Sequence, residues 1–353
     1  MQHYRAPKWM AGAGSLGGHL QTIWPALFSR AHGPDAAHPE RMDAGNPPYI
    51  RERWTAPDGD FLDVDTLIPA GWQAGQAPVL VLFHGLEGSS RSHYARAFAL
   101  WAYQRGWAYV VPHFRGCSGE LNHAPRFYHS GDHEEIDWIL RRVAARWGGP
   151  VSAVGVSLGG NALLRWAQEA GSSATAITSA VAAICSPLDL AAAGQAIGSG
   201  FNRLSYNRMF LQTLKPKALA KLDRYPGLID RQALLACRDL YEYDNAVTAP
   251  LHGFANTEDY WQRCSSKPGL KAMRDVPALV LNALNDPFVP AWSLPAQQDI
   301  GPAVTLWQPV HGGHVGFPMG KPPGHVAALP DSVASWLAQH ARPSTLSVRS
   351  DHG

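Results

Sequence analysis

Val151-Ser152-Ala153-Val154-Gly155-Val156-Ser157-Leu158-Gly159 is the stretch on which the reading of this 353-residue chain turns. Residues 151–154 predict a strand buried on both faces, as inside a parallel sheet. Residues 158–169 predict a helix, and Gly-x-Ser-x-Gly joins the two. A serine on so tight a strand-to-helix turn leaves no room for side chains two positions before or after it, which accounts for both glycines. The turn lifts the hydroxyl above the carboxyl ends of the strands. The helix that follows aims its first N–H groups at developing negative charge. Ser157 is therefore the candidate nucleophile. Taken alone, the pattern also fits a glycine-rich turn with an ordinary serine; the flanking strand and helix favour the nucleophile.

Working outward, strands and helices alternate. Residues 79–83, 108–111, 181–185, 278–282 and 304–307 predict further buried strands, and 93–105, 132–147 and 330–341 predict helices. Upstream, 49–56 and 61–68 predict a hairpin turned by Pro57-Asp58-Gly59. This alternation means an α/β architecture with a mostly parallel sheet. Residues 186–274 break the rhythm with a helical, aromatic segment too long for a plain connection. They predict a helical cap over the sheet, interrupting a core of residues 49–185 and 275–342. Residues 1–48, rich in Gly, Pro and His, predict an irregular arm, and 343–353 a tail.

A serine hydroxyl is a weak nucleophile at neutral pH and needs a positioned base, itself oriented by an acid. After the last strand, Val310-His311-Gly312-Gly313-His314-Val315 offers two histidines. The glycines let the loop turn an imidazole inward, which favours His314 over His311. For the acid, Asp286 directly follows the penultimate strand, ahead of Pro287, whereas Asp189 starts the cap and reads as well as a helix N-cap. In Phe83-His84-Gly85-Leu86-Glu87-Gly88, the Leu86 N–H, with that of Leu158, is placed to hold an oxyanion. His84 reads as a structural loop residue.

Composition removes other classes. Lys and Arg total 30 against 28 Asp and Glu, a net charge of +2, which gives no reason to expect nucleic acid as partner. Cys117, Cys185, Cys237 and Cys264 contain no Cys-x-x-Cys pair, so neither zinc nor a disulfide scaffold is expected. No signal-peptide core is present and no apolar run approaches the ~20 residues that span a bilayer. The expectation is a soluble cytoplasmic protein needing no metal or organic cofactor.

The chain resembles the YheT-like branch of the α/β-hydrolases, together with the animal ABHD1/ABHD3-type proteins. The resemblance runs over nearly its whole length. It is carried by Gly18-His19-Leu20-Gln21-Thr22, Phe83-His84-Gly85-Leu86-Glu87-Gly88 and Phe114-Arg115-Gly116-Cys117-Ser118-Gly119. It continues in Gly155-Val156-Ser157-Leu158-Gly159-Gly160-Asn161, Ser186-Pro187-Leu188-Asp189-Leu190, Thr248-Ala249-Pro250-Leu251-His252-Gly253-Phe254, Asn285-Asp286-Pro287-Phe288 and Gly312-Gly313-His314-Val315-Gly316-Phe317. The resemblance implies the α/β-hydrolase fold, a triad of Ser157, Asp286 and His314, and cleavage of carboxylic esters; the substrate expected here is a small-molecule ester of short- to medium-chain acyl type, lipid-like esters included. Two departures stand out. Asn285 occupies a position where the family often has Asp, a change expected to matter little, and the animal members' N-terminal membrane anchor is not expected here, so their lipid substrates do not carry over with the resemblance. Acyl transfer to an acceptor other than water would use the same triad, and a binding protein that kept the fold is the non-catalytic alternative. Epoxide hydrolase or dehalogenase chemistry would need Asp in place of Ser157. Six cap aromatics (Phe201, Tyr206, Phe210, Phe254, Tyr260 and Trp261) fit an apolar pocket and core packing equally well.

Overall fold

Eight strands form one sheet in the computed structural model, which describes residues 1–11, 15–31 and 47–341. They are β1 (Ile50–Thr55), β2 (Phe61–Leu67), β3 (Val79–Phe83), β4 (Ala108–Pro112), β5 (Val151–Val156), β6 (Thr178–Ile184), β7 (Ala278–Leu281) and β8 (Val304–Trp307). Their order across the sheet is β1-β2-β4-β3-β5-β6-β7-β8, with β2 antiparallel to both neighbours and the rest, from β4 to β8, parallel. β6 begins three residues before its expected start because Thr178 and Ser179, although polar, are buried in the ladder with their hydroxyls on backbone carbonyls.

Period-two alternation divides the apolar side chains between the sheet's two faces. Val81 and Phe83 of β3 pack on one side with Ile136, Ile139 and Val143 of helix α3 (His133–Trp147) and with Leu163 and Trp166 of α4 (Leu158–Ala170). Leu80 and Leu82 face the other way, toward Phe98 and Trp101 of α2 (His93–Gln104) and toward Leu329, Val333 and Leu337 of the helix Ala328–His340. Both faces are thus covered, as a parallel sheet requires.

The expectation of an irregular arm is corrected. Residues Ser15–Leu27 form a 13-residue helix, α1. Gly17, Gly18 and Pro25 weaken it as an isolated helix, but Gln21 and Thr22 are buried against the core, and tertiary packing carries it. Of the rest of the expected arm, 12–14 and 32–46 lie outside the described residues, as does the tail 343–353.

Between β6 and β7 the chain leaves the sheet and forms helices, beginning with α5 (Leu190–Ile197) and including Arg208–Arg224 and Thr257–Cys264. This insertion has its own apolar cluster, in which Leu211, Leu214, Ala218, Leu222, Leu234 and Val247 take part and against which Leu86 and Phe127 of the core pack. Lys221 fastens it from within. Its fully buried ammonium donates to Asn122 O, Asn122 Oδ1 and Ala124 O at 2.7, 3.0 and 2.6 Å, and burial lowers its pKa to about 8.

Candidate active site

The turn after β5 forces Ser157 into φ 53°, ψ −121°, a region non-glycine residues seldom occupy. It is held there from both sides. Ser157 N–H donates to Ile184 O at 2.8 Å, and a Cβ on Gly155 would lie 2.4 Å from Gly159 O. A Cβ on Gly159 would lie 2.4 Å from His84 O, so both glycines are demanded by contact as well as by the turn.

The ends of β5, β7 and β8 bring three expected residues together. Ser157 Oγ lies 3.0 Å from His314 Nε2, and His314 Nδ1 lies 2.9 Å from Asp286 Oδ2. The other Asp286 oxygen accepts from the N–H groups of Phe288 and Val289 at 2.8 and 3.3 Å, which fixes the carboxylate plane. Its side chain is fully enclosed while that of His314 keeps 11% exposure, so the serine end of the chain of bonds opens to the cavity. Phe288 packs on the imidazole, ring centroids 4.3 Å apart.

The alternatives lie elsewhere. Asp189 caps α5, accepting from Ala192 N–H at 3.0 Å. Among the described residues, no bond joins His311 to Ser157 or Asp286. His84 is structural: Nδ1 donates to Gly85 O at 2.8 Å and Nε2 accepts from Phe114 N–H at 3.1 Å. Burial lowers its pKa to about 3 and keeps it neutral.

Leu86 and Leu158 line the cavity that holds Ser157 and His314. The amides on either side of Leu86 are engaged: Gly85 N–H donates to Tyr94 Oη at 3.0 Å and Glu87 N–H to Tyr128 Oη at 2.8 Å. The remaining lining is mostly apolar and comes largely from the insertion, including Ile197, Phe210, Leu214 and Trp261. Of the six aromatics expected there, Phe210, Tyr260 and Trp261 line the cavity. Phe201 is 55% exposed, Tyr206 packs on Phe288, and Phe254 packs on His129 and Tyr260.

Residue-by-residue reading missed the clamp on the histidine loop. Thr22 Oγ1 accepts from His314 N–H at 2.8 Å, and Gln21 Oε1 accepts from Gly312 N–H at 2.8 Å and Asn285 Nδ2 at 3.0 Å. Asn285 Oδ1 in turn accepts from Gly313 N–H at 3.0 Å. Asn285 thus donates and accepts at once, which an ionised Asp at that position would not do. Gly313 and Gly316 belong to the same contact: a Cβ on either would fall 2.8 Å or less from the backbone of α1. The available signal was Gly18-His19-Leu20-Gln21-Thr22, a polar, specific string within a stretch that otherwise reads as irregular. Also missed was an ion pair, Lys217 Nζ to Glu87 Oε2 at 2.6 Å, where the insertion meets the Leu86 loop.

Cys185 Sγ, Asp286 and His314 offer ligand atoms within 4.8 Å of one another. Two of the three are already joined by a hydrogen bond, and Cys185 Sγ accepts from Val315 N–H at 3.3 Å.

A family model of the α/β hydrolase fold matches residues 78–320. The chain is 38% identical over 326 residues to YheT of Escherichia coli (strain K12), named as an esterase, covering 91% of this chain and 90% of that one. It is 28% identical over 248 residues to the phospholipase ABHD3 of Mus musculus, covering 69% of this chain and 59% of that protein's length. Among solved structures, mouse α/β hydrolase domain-containing protein 10 superposes with a TM-score of 0.52 at 15% identity, over 83% of this chain and all of the other, a likeness of fold. A family match across most of the sheet and a relative alike nearly end to end place the chain in the α/β-hydrolase family, in its YheT-like branch.

Proposed function

We propose that the protein hydrolyses carboxylic esters through an acyl-enzyme on Ser157. The observation that carries this reading is the unbroken chain from Ser157 Oγ through His314 to Asp286, with both links at hydrogen-bond distance and the serine end facing an apolar cavity. Ser157 Oγ attacks the ester carbonyl while His314 Nε2 takes its proton. Asp286 holds the Nδ1–H tautomer and stabilises the imidazolium that forms. The Leu86 and Leu158 N–H groups hold the oxyanion. His314 then gives its proton to the leaving alcohol, and in the second half it activates water to release the acid.

The apolar lining supports an acyl chain of short to medium length or a lipid-like ester, and the phospholipase name of ABHD3 agrees with the latter. No helix among the described residues is long and apolar enough to cross a membrane, and the four cysteines are free, which supports a reducing, cytoplasmic setting.

A fluorophosphonate probe tests the reading without knowledge of the acyl group, because it needs only an activated serine. The wild type is expected to label on the peptide containing Ser157. Ser157→Ala should abolish labelling, His314→Ala should slow it severely, and His311→Ala should leave it nearly unchanged. An adduct on another serine, or inertness of the folded wild type to several such probes, would overturn the proposal.

A further inference from the structure

Leu86 sits in a loop whose shape is not one its sequence favours. Glu87, the next residue, has φ 55°, in the left-handed region. There a side chain crowds its own backbone, so the conformation persists only where neighbours over-determine it. Beside the Cys117 thiol, which donates to Oε1 at 3.7 Å, two neighbours hold Glu87. Tyr128 makes a reciprocal pair with it: its hydroxyl accepts from Glu87 N–H at 2.8 Å and donates to Oε1 at 3.0 Å. Burial raises the Tyr128 pKa far above its usual value, so this hydroxyl stays a donor. The second neighbour is Lys217, whose ammonium reaches Oε2 at 2.6 Å. The Glu87 side chain is 10% exposed and that of Lys217 28%, so the pair is largely shielded from water.

The two partners come from different parts of the fold. Tyr128 belongs to the core, whereas Lys217 stands on the insertion's helix Arg208–Arg224, one turn before the buried anchor Lys221. Lys217 also cancels a charge. An uncompensated carboxylate one residue from an oxyanion donor would oppose the negative charge that develops in acyl transfer, and in a shielded site that opposition is strong.

We infer that Glu87 and Lys217 are positioning residues for the Leu86 loop, which takes its oxyanion-binding shape and charge balance only with the insertion's helix docked against it. This rests on the ester-cleaving reading of Ser157 and adds that the insertion, beyond roofing the cavity, completes the catalytic machinery.

The labelling kinetics of the full-length protein with a fluorophosphonate test this, separated into reversible binding of the probe and the bond-forming rate. Lys217→Met should lower the bond-forming rate about tenfold or more, with probe binding changed less than about twofold and the melting temperature nearly kept; loss of a whole oxyanion donor costs roughly 10²–10³. Lys217→Arg should recover most of the rate. Glu87→Gln should also slow the step, and adding it to Lys217→Met should do less harm than the two single losses combined, since it removes the stranded charge. Unchanged rates in both single variants, weaker probe binding at an unchanged rate, or losses that follow the folded fraction would each overturn the inference while leaving Ser157 labelled. A folded wild type that never labels would overturn the ester-cleaving reading, and this one with it.

Discussion

An Asp286→Asn replacement would keep the shape of the site and reverse one hydrogen bond. Asn Oδ1 can still accept from Phe288 N–H, but its NH₂ then meets His314 Nδ1, where a carboxylate oxygen now accepts at 2.9 Å. The imidazole would be driven to the tautomer with the proton on Nε2, which cannot accept from Ser157. The expected result is a folded protein with kcat down by about 10³–10⁴, measured on p-nitrophenyl esters. Asp189→Asn is the matched control, because Asn caps a helix about as well as Asp and can keep the bond from Ala192 N–H. Its activity and melting temperature should stay close to wild type. A folded Asp189→Asn that is inactive, beside an active Asp286→Asn, would reverse the assignment. The same contrast shows why residue chemistry alone leaves two candidates: both aspartates follow strands, and only the pairing of β7 with β6 and β8 sets Asp286 over the histidine loop.

At the scale of elements, legibility follows burial on both faces. β3 and β4 are apolar throughout and β5 is apolar but for Ser152, so they read directly as strands, and Ser157 with them, because Gly-x-Ser-x-Gly at a strand end is a local pattern, with Gly155 packed on Gly159 and Gly160. The loop positions of His314 and Asp286, after β8 and β7, were legible too. Helix α1 was not, since its Gly18 serves a contact about 270 residues distant: a Cβ there would lie 2.1 Å from Asn285 O. No local period records such a partner. Thr22 tests what this helix does for the site. Its hydroxyl donates to Gly18 O at 2.7 Å and accepts from His314 N–H. Thr22→Val keeps the volume but strands that amide, so a stability loss of about 1–3 kcal/mol is expected by urea unfolding. A fall in kcat on the same esters should accompany it as the imidazole loses its backbone hold, and Thr22→Ser should restore both. Wild-type stability and kcat in Thr22→Val would show that α1 merely covers the loop.

Over the whole molecule, the cavity lies at the junction of two bodies of packing: the sheet's strand ends supply Ser157 and His314, and the insertion supplies most of the apolar wall. Chain-length preference should therefore be set from the insertion and leave the bond-breaking groups untouched. Two substitutions push the volume in opposite directions. Phe210 lines the cavity next to Phe288, ring centroids 6.3 Å apart, so Phe210→Ala should lengthen the acyl chain that is turned over best. Gly194 of α5 lies directly against the Trp261 ring, where a Cβ would come within 2.2 Å of Cη2. Gly194→Ala must displace that indole or fill its place, although Trp261 Nε1 is tied to Asp244 Oδ2 at 2.9 Å, and it should shift the optimum to shorter chains. Phe254 packs outside the cavity lining, beneath Arg263 at 4.8 Å, so Phe254→Ala should lower stability and leave the profile alone. The measurement is kcat/KM along a series of p-nitrophenyl esters from acetate to laurate, with the melting temperature of each variant beside it. Opposite shifts for Phe210→Ala and Gly194→Ala with an unmoved profile for Phe254→Ala would make the insertion the chain-length gauge. A uniform loss on every ester, following the fall in melting temperature, would make the same residues core and move the acyl site elsewhere.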